Sequence, residues 1–288
     1  SDVYKRQAMS YGEHDPHSRR ILDASDWNNF NISEKNIKNS RRAYFSNISY
    51  LDDKIGEILD TLQKTNQEAV IIFVSDHGDM IGERGLWFKM SFFESSSRVP
   101  LMISSTVLEP QLVAEPVSTL DVCSTLCDLA GCDMDEVAGW TEGESLLPFA
   151  NGSIRTNAVL MEYAAEASYA PLISIRKGSF KYNRCDIDPE QLFDLESDPN
   201  ELHNLASSQN FSEELTEFQR ISEAKWDLAS FDKEVRKSQA QRWIVYESLR
   251  NGEYYPWDFQ PLKKASERFM RNHMDLNEVE ERQRSPRE

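Results

Sequence analysis

The sequence predicts an α/β fold: a mostly parallel sheet with flanking helices, a small antiparallel subdomain, and a helical and extended C-terminal extension. Three observations carry this. Apolar residues at helical spacing from Arg42 to Lys64 run into a continuous apolar stretch, Ala69 to Val74. A second strand and helix follow, at Val99–Ser104 and Thr119–Gly131. After Pro148–Gly152 the pattern changes to short strands separated by turn residues. Helix, short connection and strand are the repeating parts of α/β architectures.

Taken in order, residues 1–7 match nothing that follows and read as a foreign leader. The chain then begins as if in the middle of a longer protein. His14 and His17 flank Asp15-Pro16, a turn signal, and read as loop histidines. Tyr44, Ile48, Leu51, Ile55, Ile58, Leu59 and Leu62 form one helical face, so this helix is amphipathic. Ala69–Val74 lacks polar alternation, which predicts burial on both faces as a central parallel strand. In open α/β sheets ligands sit beyond the carboxyl ends of strands, and this strand delivers Asp76 and His77 there.

Gly78 to Arg98 is too long for a tight turn, and loops of that length in compact domains are usually functional. Pro100 fits a strand start. The helix at 119–131 has Ser118 or Thr119 as a cap and Gly131 as a stop, with Cys123 and Cys127 read as packing on its apolar face. Strands are predicted at 158–163, 171–176, 180–183 and 191–195, with Lys177-Gly178 turning a hairpin. Ser212 with Glu213 and Glu214 opens a helix, and another covers about 232–250. The tail Tyr254–Pro261 is aromatic and broken by prolines, so it must drape over an apolar surface. The resulting layout is a leader (1–7), an α/β domain (8–150), a small antiparallel subdomain (151–210) and an extension (211–288).

Composition narrows the function. The 288 residues carry a formal net charge of −17, which argues against nucleic acid or an anionic membrane as partner. No apolar run approaches the roughly 20 residues of a membrane span, and no signal peptide is visible. The four cysteines, Cys123, Cys127, Cys132 and Cys185, lack disulfide or metal spacing, so reduced thiols and a cytoplasmic location are expected.

The chemistry concentrates in Asp76, His77 and Lys89. A carboxylate beside an imidazole can contribute to a divalent-metal shell, and a nearby lysine can neutralise charge on a sulfate or phosphate oxygen. The run Phe73–Met80, with Gly82-Glu83, Lys89, Glu94 and Arg98–Leu101, resembles the type I sulfatases of the alkaline-phosphatase superfamily. Val117–Asp121, Leu129–Gly131, Leu192–Leu195, Asp198-Pro199, Glu201 and Asn204–Ala206 continue that resemblance across 40–206. Arg41–Tyr50, Gly85–Glu94 and the last sixty residues are most similar to the choline-sulfatase subfamily.

The resemblance implies that Asp76 and His77 ligate a cation, calcium in this family, and that Lys89 contacts the sulfate. It implies a formylglycine nucleophile in a C-x-P-S-R or C-x-A-x-R motif and an aspartate pair. None of the four cysteines has that context, so nucleophile and remaining ligands are expected upstream, and these residues alone are expected to be inactive. For choline sulfate, Glu166 and Asp275 are the acids that would face the quaternary ammonium, which takes aromatic faces and carboxylates. A homo-oligomer formed through the extension is also implied. The alternatives are another hydrolase of the superfamily, acting on a different sulfate ester, a phosphonate monoester or a phosphodiester, or a degenerate non-catalytic module.

Overall fold

The structure is a computed structural model that describes residues 9–251 apart from 28, 29, 31, 107 and 156. Asp275 and the aromatic tail lie outside the described residues. The chain opens with α1 (Pro16–Ala24), then the long α2 (Glu34–Lys64). Asp15 is no turn residue here. Its carboxylate caps α1 by accepting from the Ser18 amide at 3.0 Å, and Pro16 takes the first helical position, where a missing N–H costs nothing. His17, expected in a loop, lies in the first turn of α1, while His14 stands in the loop before it, and both are buried. Ser33 caps α2, so that helix begins eight residues before the expected start.

Strand β1 (Ile71–Val74) pairs with β2 (Leu101–Ser104) in antiparallel register, Ile71 opposite Ser104 and Val74 opposite Leu101. The predicted parallel, doubly buried strand is corrected on both counts. A 26-residue connection lets the chain reverse before β2, and Phe73 and Val74 remain exposed. No other described strand lies beside this pair.

The connection between β1 and β2 is largely core. Met80, Leu86 and Phe93 pack with Leu22 of α1 and with Phe193. It also contains α3 (Glu94–Ser97). Further on, α4 (Leu120–Leu129) reverses the packing expectation: Cys123 and Leu120 are exposed, while Asp121, Ser124 and Thr125 are buried. That polar face holds the 143–146 segment. Asp121 accepts from the amides of Ser118 and Glu144 and pairs with Arg155, and Thr125 accepts from the Leu146 amide. A short helix, α5 (Met134–Val137), lies between α4 and this segment.

Four strands form an antiparallel meander: β3 (Val159–Tyr163), β4 (Leu172–Lys177), β5 (Phe180–Cys185) and β6 (Asp188–Asp194). Gly178, in the left-handed region, turns β4 into β5. Helix α6 (Ser212–Lys225) covers one face, with Phe218 stacked on Tyr182 at 5.8 Å between centroids. Such a pair adds about 1 kcal/mol beyond its buried area. Ser212 is the first residue of α6, and its hydroxyl makes no cap. Helix α7 (Leu228–Arg250) starts four residues earlier than predicted because Asp227 accepts from the Ser230 amide.

Candidate active site

Strand β1 ends at Val74, and the next residues turn sharply against α3. Gly78 makes this possible: its amide donates to Ser96 at 2.8 Å, and a Cβ there would meet the Ser95 carbonyl oxygen at 2.2 Å. The preceding His77 is oriented by its own neighbour. His77 Nδ1 lies 2.9 Å from the Gly78 carbonyl oxygen. A carbonyl only accepts, so Nδ1 carries the proton and Nε2 presents a lone pair. Lys89 Nζ reaches that nitrogen at 2.7 Å, and the Asp76 carboxylate stands 3.4 Å from it.

Asp76, His77 and Lys89 thus converge, as expected. Asp76 is exposed, and its carboxyl is held below the usual carboxylate range, first by the His77 amide and further by the charge of Lys89. The pair Asp76 and His77 fits a divalent cation chemically: a hard anionic oxygen beside an imidazole in the metallating tautomer. It supplies only part of a shell, and among the described residues no group of three or more His, Cys, Asp or Glu could hold a metal.

The lysine is anchored from behind. Its backbone carbonyl accepts from Ser96 Oγ at 2.5 Å, and the neighbouring Met90 carbonyl accepts from His17 Nε2 at 2.6 Å. Below the loop lies a buried ionic group that motif reading missed. Lys181 of β5, 1 % exposed, lies 2.6 Å from Glu94 and 3.0 Å from Glu201, and donates to the Phe92 carbonyl at 2.7 Å. Glu201 accepts from the Glu94 amide at 2.7 Å, while Arg84 donates to the Glu201 carbonyl and lies over the Phe93 ring. The signal available was Lys181 set between two aromatic residues, Phe180 and Tyr182, in β5.

Glu166 sits on the exposed loop after β3. Tyr163 donates to its carboxylate at 3.1 Å and its carbonyl at 2.9 Å. The Tyr163 hydroxyl is pushed well above its ordinary range by burial and by that carboxylate. No direct contact joins Glu166 to the cluster around Lys89; their link runs through Tyr163 and His17.

Comparison with known proteins identifies the relatives of this chain. The sulfatase family model matches residues 7–132, that of the N-sulphoglucosamine sulphohydrolase C-terminal region matches 82–225, and that of the choline sulfatase C-terminal region matches 233–284. The chain is 58 % identical over 285 residues to a choline-sulfatase of Rhizobium meliloti, covering 97 % of this chain and 56 % of that protein. Human arylsulfatase K is 31 % identical over 58 % of this chain and 33 % of its own length. The chain therefore spans about half or less of the curated relatives it matches.

Among solved structures, a 2-O GAG sulfatase superposes with a TM-score of 0.63 at 22 % identity, over 84 % of this chain and 54 % of that one. A phosphonate monoester hydrolase from Silicibacter pomeroyi gives 0.64 at 21 %, over 76 % and 50 %. These two show the fold alone. With family models running in order through both the strand-end site and the extension, the chain belongs to the sulfatase family.

Proposed function

We propose that this chain is the C-terminal part of a sulfuric ester hydrolase acting on choline sulfate, with water, to give choline and sulfate. The observation that carries the reading is 58 % identity to a choline-sulfatase across 97 % of the chain. The convergence of Lys89 on His77 supports it. Asp76 and His77 would hold a divalent cation, calcium by family resemblance. When bound, that ion would supply Lewis acidity toward a sulfate oxygen. Formylglycine would be the nucleophile, carried by sequence upstream of these residues.

The chain's own residues then have distinct tasks. The Lys89 ammonium offsets negative charge that grows on the ester oxygen as the S–O bond breaks. The Gly78 carbonyl holds His77 in the tautomer that keeps Nε2 available. Glu166, steadied by Tyr163, faces the quaternary ammonium with a full negative charge and no need of a hydrogen bond. Asp275 is a second acid for that cation, contributed through a homo-oligomer built on the extension. The enzyme works in the cytoplasm in this reading, without nucleic acid or membrane. No helix among the described residues is long and apolar enough to cross a membrane.

The test compares the 288 residues with the same chain joined to its native upstream coding sequence, on choline sulfate, an aryl sulfate and a phosphonate monoester. The expected result is turnover only by the longer chain, with choline sulfate preferred. Preference for the phosphonate ester, or turnover by the 288 residues alone, overturns the reading.

A further inference from the structure

Helix α1 touches both ends of the site, and no part of the reading above uses it. At its first turn His17, 6 % exposed, donates from Nε2 to the Met90 carbonyl next to Lys89. The same ring meets the Tyr163 ring edge-on, with centroids 5.7 Å apart, and Tyr163 holds Glu166. One turn on, Arg20 forms a forked pair with Asp188 of β6 and donates to the Ala167 carbonyl at 3.2 Å, just beyond Glu166.

His17 is an expensive choice for packing alone. Its Nδ1 is buried with no hydrogen-bond partner in the protein, and burial lowers its pKa, keeping the ring neutral. A leucine would fill space without burying a bare nitrogen. What imidazole offers here is a flat edge for Tyr163 combined with a donor for Met90.

We propose that His17 is a positioning residue that fixes the separation between Lys89 and Glu166, so that an ester with sulfate at one end and a cation at the other is held at both. The proposal rests on the choline sulfate reading, and it makes α1 a determinant of specificity. A mono-anionic aryl sulfate engages only the Lys89 end and is indifferent to the spacing.

The experiment uses the enzyme with its native upstream sequence and measures kcat and KM for choline sulfate and 4-nitrophenyl sulfate. His17→Leu should lower kcat/KM for choline sulfate about tenfold more than for the aryl ester, chiefly through KM. His17→Gln, whose amide can still donate to Met90, should recover most of the ratio. In a Glu166→Gln background His17→Leu should no longer change it. Tyr163→Phe keeps the ring but releases Glu166, and it should shift the ratio the same way, which serves if His17→Leu fails to fold. Equal losses on both substrates in folded variants, or additivity with Glu166→Gln, overturn the proposal while leaving the function intact. A ratio unmoved by Glu166→Gln removes the cation end itself, and the proposal falls with that part of the reading.

Discussion

Lys89 and His77 show how much of a site can be set by single atoms. The Gly78 carbonyl selects the His77 tautomer, and the exposed Nε2 then meets a lysine. Lys89→Ala in the longer enzyme should lower kcat about 10²–10³-fold, the scale for losing one preorganised charge-stabilising donor, and steady-state kinetics on choline sulfate check it. Asp76, His77 and Lys89 were legible because strand, acid, imidazole and lysine stand close along the chain. His17 was not, because its role depends on Met90 and Tyr163, which are distant in sequence. Two buried histidines carry a second prediction. Burial lowers the pKa of His14 and His17 below their ordinary 6.5. The unfolded chain takes up their protons as pH falls through 6.5 while the folded chain resists, so stability present above that pH is lost below it. The loss is at most about 1.4 kcal/mol per pH unit for each histidine. Urea denaturation at pH 7.5 and 5.5 should show it, and His17→Leu should reduce the slope.

At the scale of elements, the loop bearing Lys89 is braced by the sheet domain through Lys181, Glu94 and Glu201. Removing one member of a buried ionic group leaves the others charged without compensation, a cost of about 3–5 kcal/mol. Lys181→Met should therefore lower the stability of the chain by that order. Lys181→Met with Glu201→Gln should recover part of it, since the second change removes an unpaired charge. Chemical denaturation of the two variants decides this; a single variant as stable as the parent would mean that the group contributes nothing net. The strands and helices were mostly legible, because hydrophobic period and turn residues act locally. Their partners were not. The continuous apolar run Ala69–Val74 predicts a parallel strand, yet strand direction is set by the route of the 26-residue connection. The spacing of Cys123 and Cys127 predicts that they pack, whereas the helix buries Asp121, Ser124 and Thr125 because each finds a hydrogen-bond partner in the 118–155 region.

At the scale of the whole molecule, two regions of core contrast with apolar side chains left exposed on α2 and on the strand pair. The meander and α6 enclose Ile175, Tyr182, Leu192 and Phe218, and α1 with the β1–β2 connection encloses Leu22, Met80, Leu86 and Phe93. By contrast the predicted apolar face of α2 is open. Ile48, Leu51 and Ile58 are exposed, Ile58 by 61 %, and so are Phe73 and Met102 on the strand pair. The N-terminal part of α2 is fastened, with Arg41 donating to the Ile81 carbonyl at 2.9 Å and lying 3.7 Å from Glu83. Large apolar side chains exposed in this number along one helix face mark a place where more protein packs. The Rhizobium meliloti relative, of which this chain covers 56 %, has the additional length to do so. The expected outcome is that the 288 residues alone bind an environment-sensitive dye such as ANS strongly and self-associate with rising concentration. Joined to the native upstream sequence, the same residues should bind less dye per mole and sediment without concentration-dependent growth. Ile58→Glu should relieve the self-association of the 288 residues, since one charge interrupts the stripe, yet destabilise the longer chain, where burying an unpaired carboxylate is costly. Equal dye binding by both lengths, or an Ile58→Glu variant with no effect on either, would show that the α2 face is an ordinary solvent-facing surface.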